Sequence, residues 1–326
     1  MPEPSSPQRR GRLFRCGSAF MVLLAVAGYL AVQYVTGGSG GPGCKVVSGK
    51  GDGASYAFTP EQAVNAATIT AVGTARGLPE RAVTIALATA LQESALRNID
   101  YGDRDSVGLF QQRPSQGWGT PKEIMDPAYS AGEFYDHLVK VPGYTRLPLT
   151  VAAQRVQRSG FPQAYAKHEP DAALLAAALT GQSAATLTCE GRPAATRASG
   201  PDGVRAALVR DFGRDVLEPA GARVDGSSTA APAPSPGGTG DSTGRTVTLP
   251  VTTGTGSASV RVQEQRGWQL AHWAVANASQ LHIARVTYAG REWVAGNTAS
   301  QWRAAAAKGT AGAERDADAV RIVTMG

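Results

Sequence analysis

Cysteine, aromatic residues and dense charge are all scarce in this chain. Three cysteines in 326 residues, with no C-x-x-C pair, exclude a zinc ribbon or a thioredoxin-type site. His137, His168, His272 and His282 are scattered. The strings H-E-x-x-H, G-x-S-x-G and G-x-x-x-x-G-K are missing, so metallopeptidase, serine-hydrolase and NTPase chemistry lack their parts. The Ca²⁺-loop pattern D-x-[DN]-x-[DN]-G is not satisfied either, and no metal or other cofactor is expected. No five or six basic residues adjoin. Half of the net charge of +6 sits in residues 1–15, where Arg9, Arg10, Arg12 and Arg15 face only Glu3. The weakly basic remainder suits an anionic surface such as a cell wall and gives nucleic acid no footprint.

What is present is 42% hydrophobic and 18% charged residues, which excludes a wholly disordered chain and a polytopic membrane protein. Gly is plentiful at 39 but follows no G-x-y period, so collagen is excluded. Arg outnumbers Lys 26 to 6, which with the Ala and Gly richness reflects the coding bias of a GC-rich bacterial genome. The length leaves room for two domains with tails, at roughly 100–200 residues per domain.

One long apolar run exists, CGSAFMVLLAVAGYLAVQYV over 16–35, 20 residues without a charge. That suffices for a transmembrane helix. With the arginines of the 1–15 tail before it, the positive-inside rule predicts a single-pass anchor in the cytoplasmic membrane, N-terminus inside and the C-terminal domains outside. A cleaved signal peptide is the rival reading, since Ala25-Val26-Ala27 has the A-x-A form, although it lies within the apolar run. Beyond the membrane, Cys44 and Cys189 bracket the next segment. Export makes a disulfide between them reasonable, with two free thiols as the alternative.

Composition then divides the chain. Residues 36–55 read as a Gly-rich linker. Residues 56–190 are helix-rich. Thr59-Pro60-Glu61-Gln62 has the cap, first-turn proline and N3 amide of a helix start. Leu78-Pro79-Glu80 opens a second helix to about Leu96, with Val83, Leu87, Leu91 and Ala95 as its core stripe. Residues 126–140 and 171–179 are further helices, and 99–121 read as loop or short hairpin. Residues 203–326 form an α+β segment, interrupted by low-complexity, disordered 222–246. It holds a helix over 203–217, a helix over about 268–280 and strand-like runs VTLPV, ASVRVQ, ARVTY and VRIVTM.

The chemistry concentrates in ALQESALRNIDYGDRDSVGLFQQ, residues 90–112. Glu93 lies near the C-terminal end of an otherwise apolar helix. Apolar surroundings and the negative end of the helix dipole both favour its protonated form. A carboxyl kept protonated near neutral pH is a general acid. Ser94 is placed to hydrogen-bond it or a sugar. Asp103 and Asp105 follow in a polar loop as turn residues or a second carboxylate. Gly108 permits close backbone approach, and Gln111 offers donor and acceptors for a carbohydrate.

Glu93-Ser94-x-Leu96-x-Asn98 followed by Ser106-x-Gly108-Leu109-Phe110-Gln111 resembles the lytic transglycosylase and goose-type lysozyme family. The resemblance spans about 60–188 and implies a mainly α lysozyme-like domain with a sugar cleft. It places the acid/base at Glu93 and substrate contacts at Ser106, Gly108, Leu109, Phe110 and Gln111. Asp126-Pro127-x-Tyr129 resembles the helix start that follows in these enzymes and adds Tyr129. The family's Ala-Tyr-Asn-Ala-Gly string is absent; Ser159-Gly160-Phe161-Pro162-x-Ala164-Tyr165 stands in a comparable place and nominates Tyr165 as the tyrosine beside the acid.

The implied reaction is cleavage of the β-1,4 bond between N-acetylmuramic acid and N-acetylglucosamine in peptidoglycan. A muramyl 6-hydroxyl nucleophile would give a 1,6-anhydro sugar; water, activated by Asp103 or Asp105, would make the protein a muramidase. A non-enzymatic, membrane-anchored wall-binding scaffold is the third alternative. The expected partners are glycan strands and, through residues 16–35, the membrane. The tail, with Gly267-Trp268-Gln269-Leu270-Ala271-His272-Trp273, resembles an accessory C-terminal domain of actinobacterial muralytic proteins. Its tryptophans 268, 273, 293 and 302 make either a glycan-binding surface or a core.

Overall fold

The structure, a computed structural model, describes residues 43–161, 163–217, 244–251, 257–296, 301–305 and 319–326. The chain begins there with an antiparallel hairpin, β1 (Cys44–Val47) and β2 (Ser55–Phe58). Cys44 and Val46 point inward while Lys45 and Val47 point out, the period-2 pattern of a half-buried strand. That alternation turns the C-terminal part of the linker expected over 36–55 into ordered sheet. Strand β3 (Leu187–Cys189) closes the sheet in the order β2-β1-β3. Its Cys189 lies opposite Cys44 in register, and the two are bonded across 145 residues of sequence.

Helix α1 (Pro60–Ala75) starts at Thr59 with both hydrogen bonds of a capping box to Gln62. Helix α2 (Glu80–Ser94) follows. Every residue from Ala82 to Leu91 is buried, so this helix is enclosed on all sides, as an all-round apolar helix must be. It packs against α1, α4 (Pro127–Leu138), α5 (Leu149–Gln157) and α6 (Glu169–Leu179). A one-turn α3 (Pro121–Ile124) precedes α4, whose cap Asp126 accepts from the Ala128 amide. Helix α7 (Gly200–Phe212) lies against α1.

The C-terminal segment is an antiparallel sheet of β4 (Thr246–Pro250), β5 (Ile283–Tyr288), β6 (Arg291–Val294), β7 (Arg303–Ala304) and β8 (Ala319–Thr324), in the order β4-β8-β5-β6-β7. Helix α8 (Ser257–Ala276) contacts β5 and β8 of this sheet and also α1, α6 and β3. The segment thus shares the core of the N-terminal helices, and Pro42–Gly326 forms one compact unit. Gly181 lies so close to α8 that a Cβ on it would run into the Gln265 carbonyl, and its φ of +79° suits glycine. Trp268, Trp273, Trp293 and Trp302 are all buried, so they make core.

Two further expectations are corrected. ASVRVQ, read as a strand, falls in α8. The buried residues Trp268, Ala271, His272 and Val275 recur at helical spacing, and that stripe decides the conformation of the whole stretch. Val260 and Val262 are both exposed, so the short valine alternation marked no inner face. The second correction concerns the membrane. No helix among the described residues is long and apolar enough to cross one. The longest of them, α8 with 20 residues, carries Arg261, Glu264 and Arg266. The helix expected over 16–35, like the 1–15 tail, lies outside the described residues. The fold among the described residues is eight α-helices and two sheets, and the single-pass anchor and the location built on it are withdrawn. The segment 222–246 lies outside them as well until Gly244, and β4 begins at its last residue.

Candidate active site

Helix α2 ends one residue after Glu93, and the way it ends sets the site. Ala95 and Leu96 both adopt left-handed backbone, φ 53° and 58°, without the glycine that usually stands there. Their carbonyls are held from α1: the Gln62 amide donates to Ala95 and the Asn65 amide to Leu96, each at 2.8 Å. The Ser94 hydroxyl donates to the Leu109 carbonyl at 2.8 Å. This ties the helix end to the loop that follows.

That loop is stitched internally. Val107 and Gln112 pair as a short bridge, and the Gly108 amide donates to Ile99 at 2.7 Å. Gly108 has φ +80°, and a Cβ there would sit 2.9 Å from the Ile124 carbonyl, so only glycine fits. The Ser106 hydroxyl lies 2.7 Å from the Asp103 carbonyl and 3.1 Å from Gln111 Oε1. Gln111 Nε2 donates to the Gly108 and Tyr101 carbonyls. Leu109 and Phe110 are fully buried, and Phe110 stacks on Phe134 at 4.6 Å between centroids. The motif therefore builds the floor and its turn; its two apolar side chains belong to the core.

The polar centre assembles from three separate elements. Tyr165 donates its hydroxyl to Glu93 Oε1 at 2.7 Å, across 72 residues of sequence. Gln157, the last residue of α5, hydrogen-bonds the Glu93 carboxyl and donates Nε2 to the Phe110 carbonyl at 2.8 Å. Tyr165 is placed by the preceding loop, where Gln154 and Ser159 exchange two hydrogen bonds. Burial pushes the Glu93 carboxyl above its ordinary value, and the bonds from Tyr165 and Gln157 pull it part of the way back. Burial also raises the Tyr165 phenol, which keeps it a donor. Beside them His168 Nε2 lies 3.2 Å from Gln92 Oε1.

The remaining sequence candidates lie elsewhere. Asp105 is committed to its own loop: it takes Arg113 Nε at 2.9 Å and the Ser115 amide at 2.8 Å. The Ser115 amide, then Arg113, hold its carboxyl well below the usual range. The Asp103 side chain is 93% exposed, with Arg104 at 4.0 Å. Tyr129 lies against Gly119. Trp118 meets the ring of His137 at 4.2 Å. Sequence reasoning missed Gln157, because nothing in its local spacing marks it; only the placement of α5 brings it to Glu93. No group of three or more His, Cys, Asp or Glu among the described residues could hold a metal.

A family model described as the VldE C-terminal domain matches residues 208–315. The match begins inside α7 and takes in α8 and β4 to β7. It covers less than half of the chain and none of the residues around Glu93. No curated protein matches the chain.

Proposed function

We propose that this chain cleaves the β-1,4 bond between N-acetylmuramic acid and N-acetylglucosamine in peptidoglycan, with Glu93 as the single acid/base. The observation behind this reading is the half-buried Glu93, its carboxyl raised by burial and held by the Tyr165 hydroxyl at 2.7 Å. Protonated Glu93 gives its proton to the glycosidic oxygen as the C1–O bond breaks. The resulting carboxylate accepts a hydrogen bond from Tyr165, whose phenol stays protonated. It then takes the proton of the muramyl 6-hydroxyl as that oxygen bonds to C1. The products are a 1,6-anhydromuramyl end and a free 4-hydroxyl, and Glu93 is again protonated.

The intramolecular nucleophile is preferred because inverting hydrolysis asks for a second carboxylate about 6.5–9.5 Å away to activate water. Asp105 is occupied by Arg113 and Ser115, and Asp103 is out in solvent. The Cys44–Cys189 bond suits the oxidising surroundings in which peptidoglycan is found.

Digestion of purified peptidoglycan by wild type and Glu93→Gln, with product masses recorded, tests the reading. Anhydro-muropeptides from wild type, reduced about 10²- to 10⁴-fold in the variant, are expected. Reducing-end products would make the protein a muramidase. Wall binding without products, equal in both proteins, would make it a scaffold and sink the proposal.

A further inference from the structure

Next to the Glu93 site, and joined to it by the side chain of Gln157, is a concavity. It has a volume of about 330 Å³ and is lined by Trp118, His137, Lys140, Arg155, Arg158 and Gln157, over an apolar floor of Val141 and Val156. No carboxylate lines it. Lys140, Arg155 and Arg158 are exposed. Among the described residues none of the three forms an ion pair. This contrasts with other arginines among the described residues: Arg76 holds Asp136, Arg81 holds Glu169 and Arg113 holds Asp105.

Three unpaired cations around one hollow raise the local concentration of anions. Guanidinium groups favour carboxylate and phosphate because their planar fork matches two oxygens at once. The Trp118–His137 wall and the valine floor add apolar contact for the carbon skeleton carrying the anion. Arg158 reinforces the picture. It ends α5 with φ 51°, a conformation that favours glycine, yet an arginine stands there and lines the hollow. Gln157, between Arg158 and the floor, also bonds the Glu93 carboxyl and the Phe110 carbonyl. An occupant of the hollow is thus one side chain from the reacting carboxyl, so the anion it takes belongs to the same strand as the scissile bond.

We infer that the Trp118–Lys140–Arg155–Arg158 hollow is a binding site for the free carboxylates of the peptide that peptidoglycan carries on its muramyl residues, and that it selects peptide-bearing strands. The identity of the ligand rests on the glycan reading above; the presence of an anion site does not.

Trp118 supplies the readout. It is only partly buried, whereas the other four tryptophans are 7% exposed or less, so a probe in the hollow changes its emission first. The full chain is titrated with N-acetylmuramyl pentapeptide, which contains no bond to cleave, with the same compound amidated at its carboxylates, and with a phosphodiester-linked glycerol oligomer. The carboxylated probe is expected to quench Trp118 with an affinity that falls at least tenfold in Arg155→Ala/Arg158→Gly and falls with added salt. The glycine accommodates the backbone at 158, and Lys140→Met is a second variant that leaves α5 untouched. Equal response to the amidated probe, or unchanged affinity in both variants, overturns the proposal. Tighter binding of the phosphodiester oligomer also overturns it and assigns the hollow to another polymer. Quenching without digestion would leave the anion site standing and remove the cleavage reading. Digestion without quenching would do the reverse.

Discussion

Two carboxylates occupy equivalent places in two helices and are treated in opposite ways. Glu93 is the penultimate residue of α2 and Asp211 the penultimate residue of α7. Both face the negative end of a helix dipole, which disfavours a second negative charge. Asp211 has a side chain without exposure and answers with three donors: Arg210 Nε at 2.8 Å, Trp273 Nε1 at 2.8 Å and the Thr68 hydroxyl at 3.2 Å. They come from α7, α8 and α1, so this one group joins the C-terminal segment to the N-terminal helices. Glu93 has two neutral donors, Tyr165 and Gln157, and no cation. The lesson is in the donors. A buried carboxylate given a guanidinium and two further donors is a fixture of the core. One given neutral donors only has its carboxyl raised by burial, which is what the proposed proton donor requires.

Breaking the fixture should have the largest effect on stability. Asp211→Ala leaves Trp273 Nε1–H and Thr68 without their acceptor in a dry interior. Leaving buried donors of this kind unsatisfied costs about 1–3 kcal/mol, which a urea titration would register as a lower midpoint. Cleavage per folded molecule should be unchanged. A loss under about 1 kcal/mol would mean that apolar packing of Trp273 and its neighbours, and not Asp211, ties the segment on.

Tyr165→Phe tests the other carboxylate more gently. It removes one hydrogen bond, worth about 0.5–1.5 kcal/mol net, and should slow cleavage up to roughly tenfold. The sign of the pH effect is the sharper result. The Tyr165 bond lowers the Glu93 carboxyl, against the larger raising effect of burial. Without it the carboxyl rises further, so the alkaline limb of kcat/KM should move to higher pH. A limb that stays in place, or moves down, would show that the titrating acid is another group.

The parts of this arrangement visible in the sequence are the local ones. Thr59 and Gln62 announced their capping box, whereas Gly108, read as admitting a ligand beside Leu109 and Phe110, instead admits the Ile124 carbonyl, with those two side chains buried in the core. Glu93 stood out because a carboxyl near the end of an apolar helix is unusual. Tyr165 was nominated only by its position after Ser159-Gly160-Phe161, and its contact with Glu93 depends on Gln154 and Ser159 folding that loop back. Gln157 and Asp211 gave no signal, since their partners lie 47 and 62 residues away. His272 was equally silent. It is fully buried, packs between Trp268 and Trp302, and burial pushes it down to about 4, so it is a neutral part of the seam between the two segments. Composition could place tryptophans in the tail, but not say that their faces would close on α1, α6 and β3. The α8 boundary failed for a related reason. A six-residue valine alternation carries less information than a helical stripe running through Trp268 and Val275.

The smallest effect is the stability cost of burying the Glu93 carboxyl, and its sign follows from the direction of the shift. The folded-state carboxyl lies above its unfolded value because burial disfavours the anion. Such a group gives its full stability below the unfolded value and loses it as pH rises through the folded one. Glu93→Gln cannot ionise, so it escapes that loss. The variant should match wild type at low pH and be the more stable protein on the alkaline side. Paired melts at acid and alkaline pH would measure this, and the same substitution at Asp211 supplies the contrast. Asp211→Asn should destabilise, because an amide has a single acceptor oxygen and cannot take both the Arg210 and the Trp273 N–H bonds. If Glu93→Gln were also destabilising above neutrality, then Glu93 would be a second fixture like Asp211, and its claim to be the proton donor would fail with the comparison.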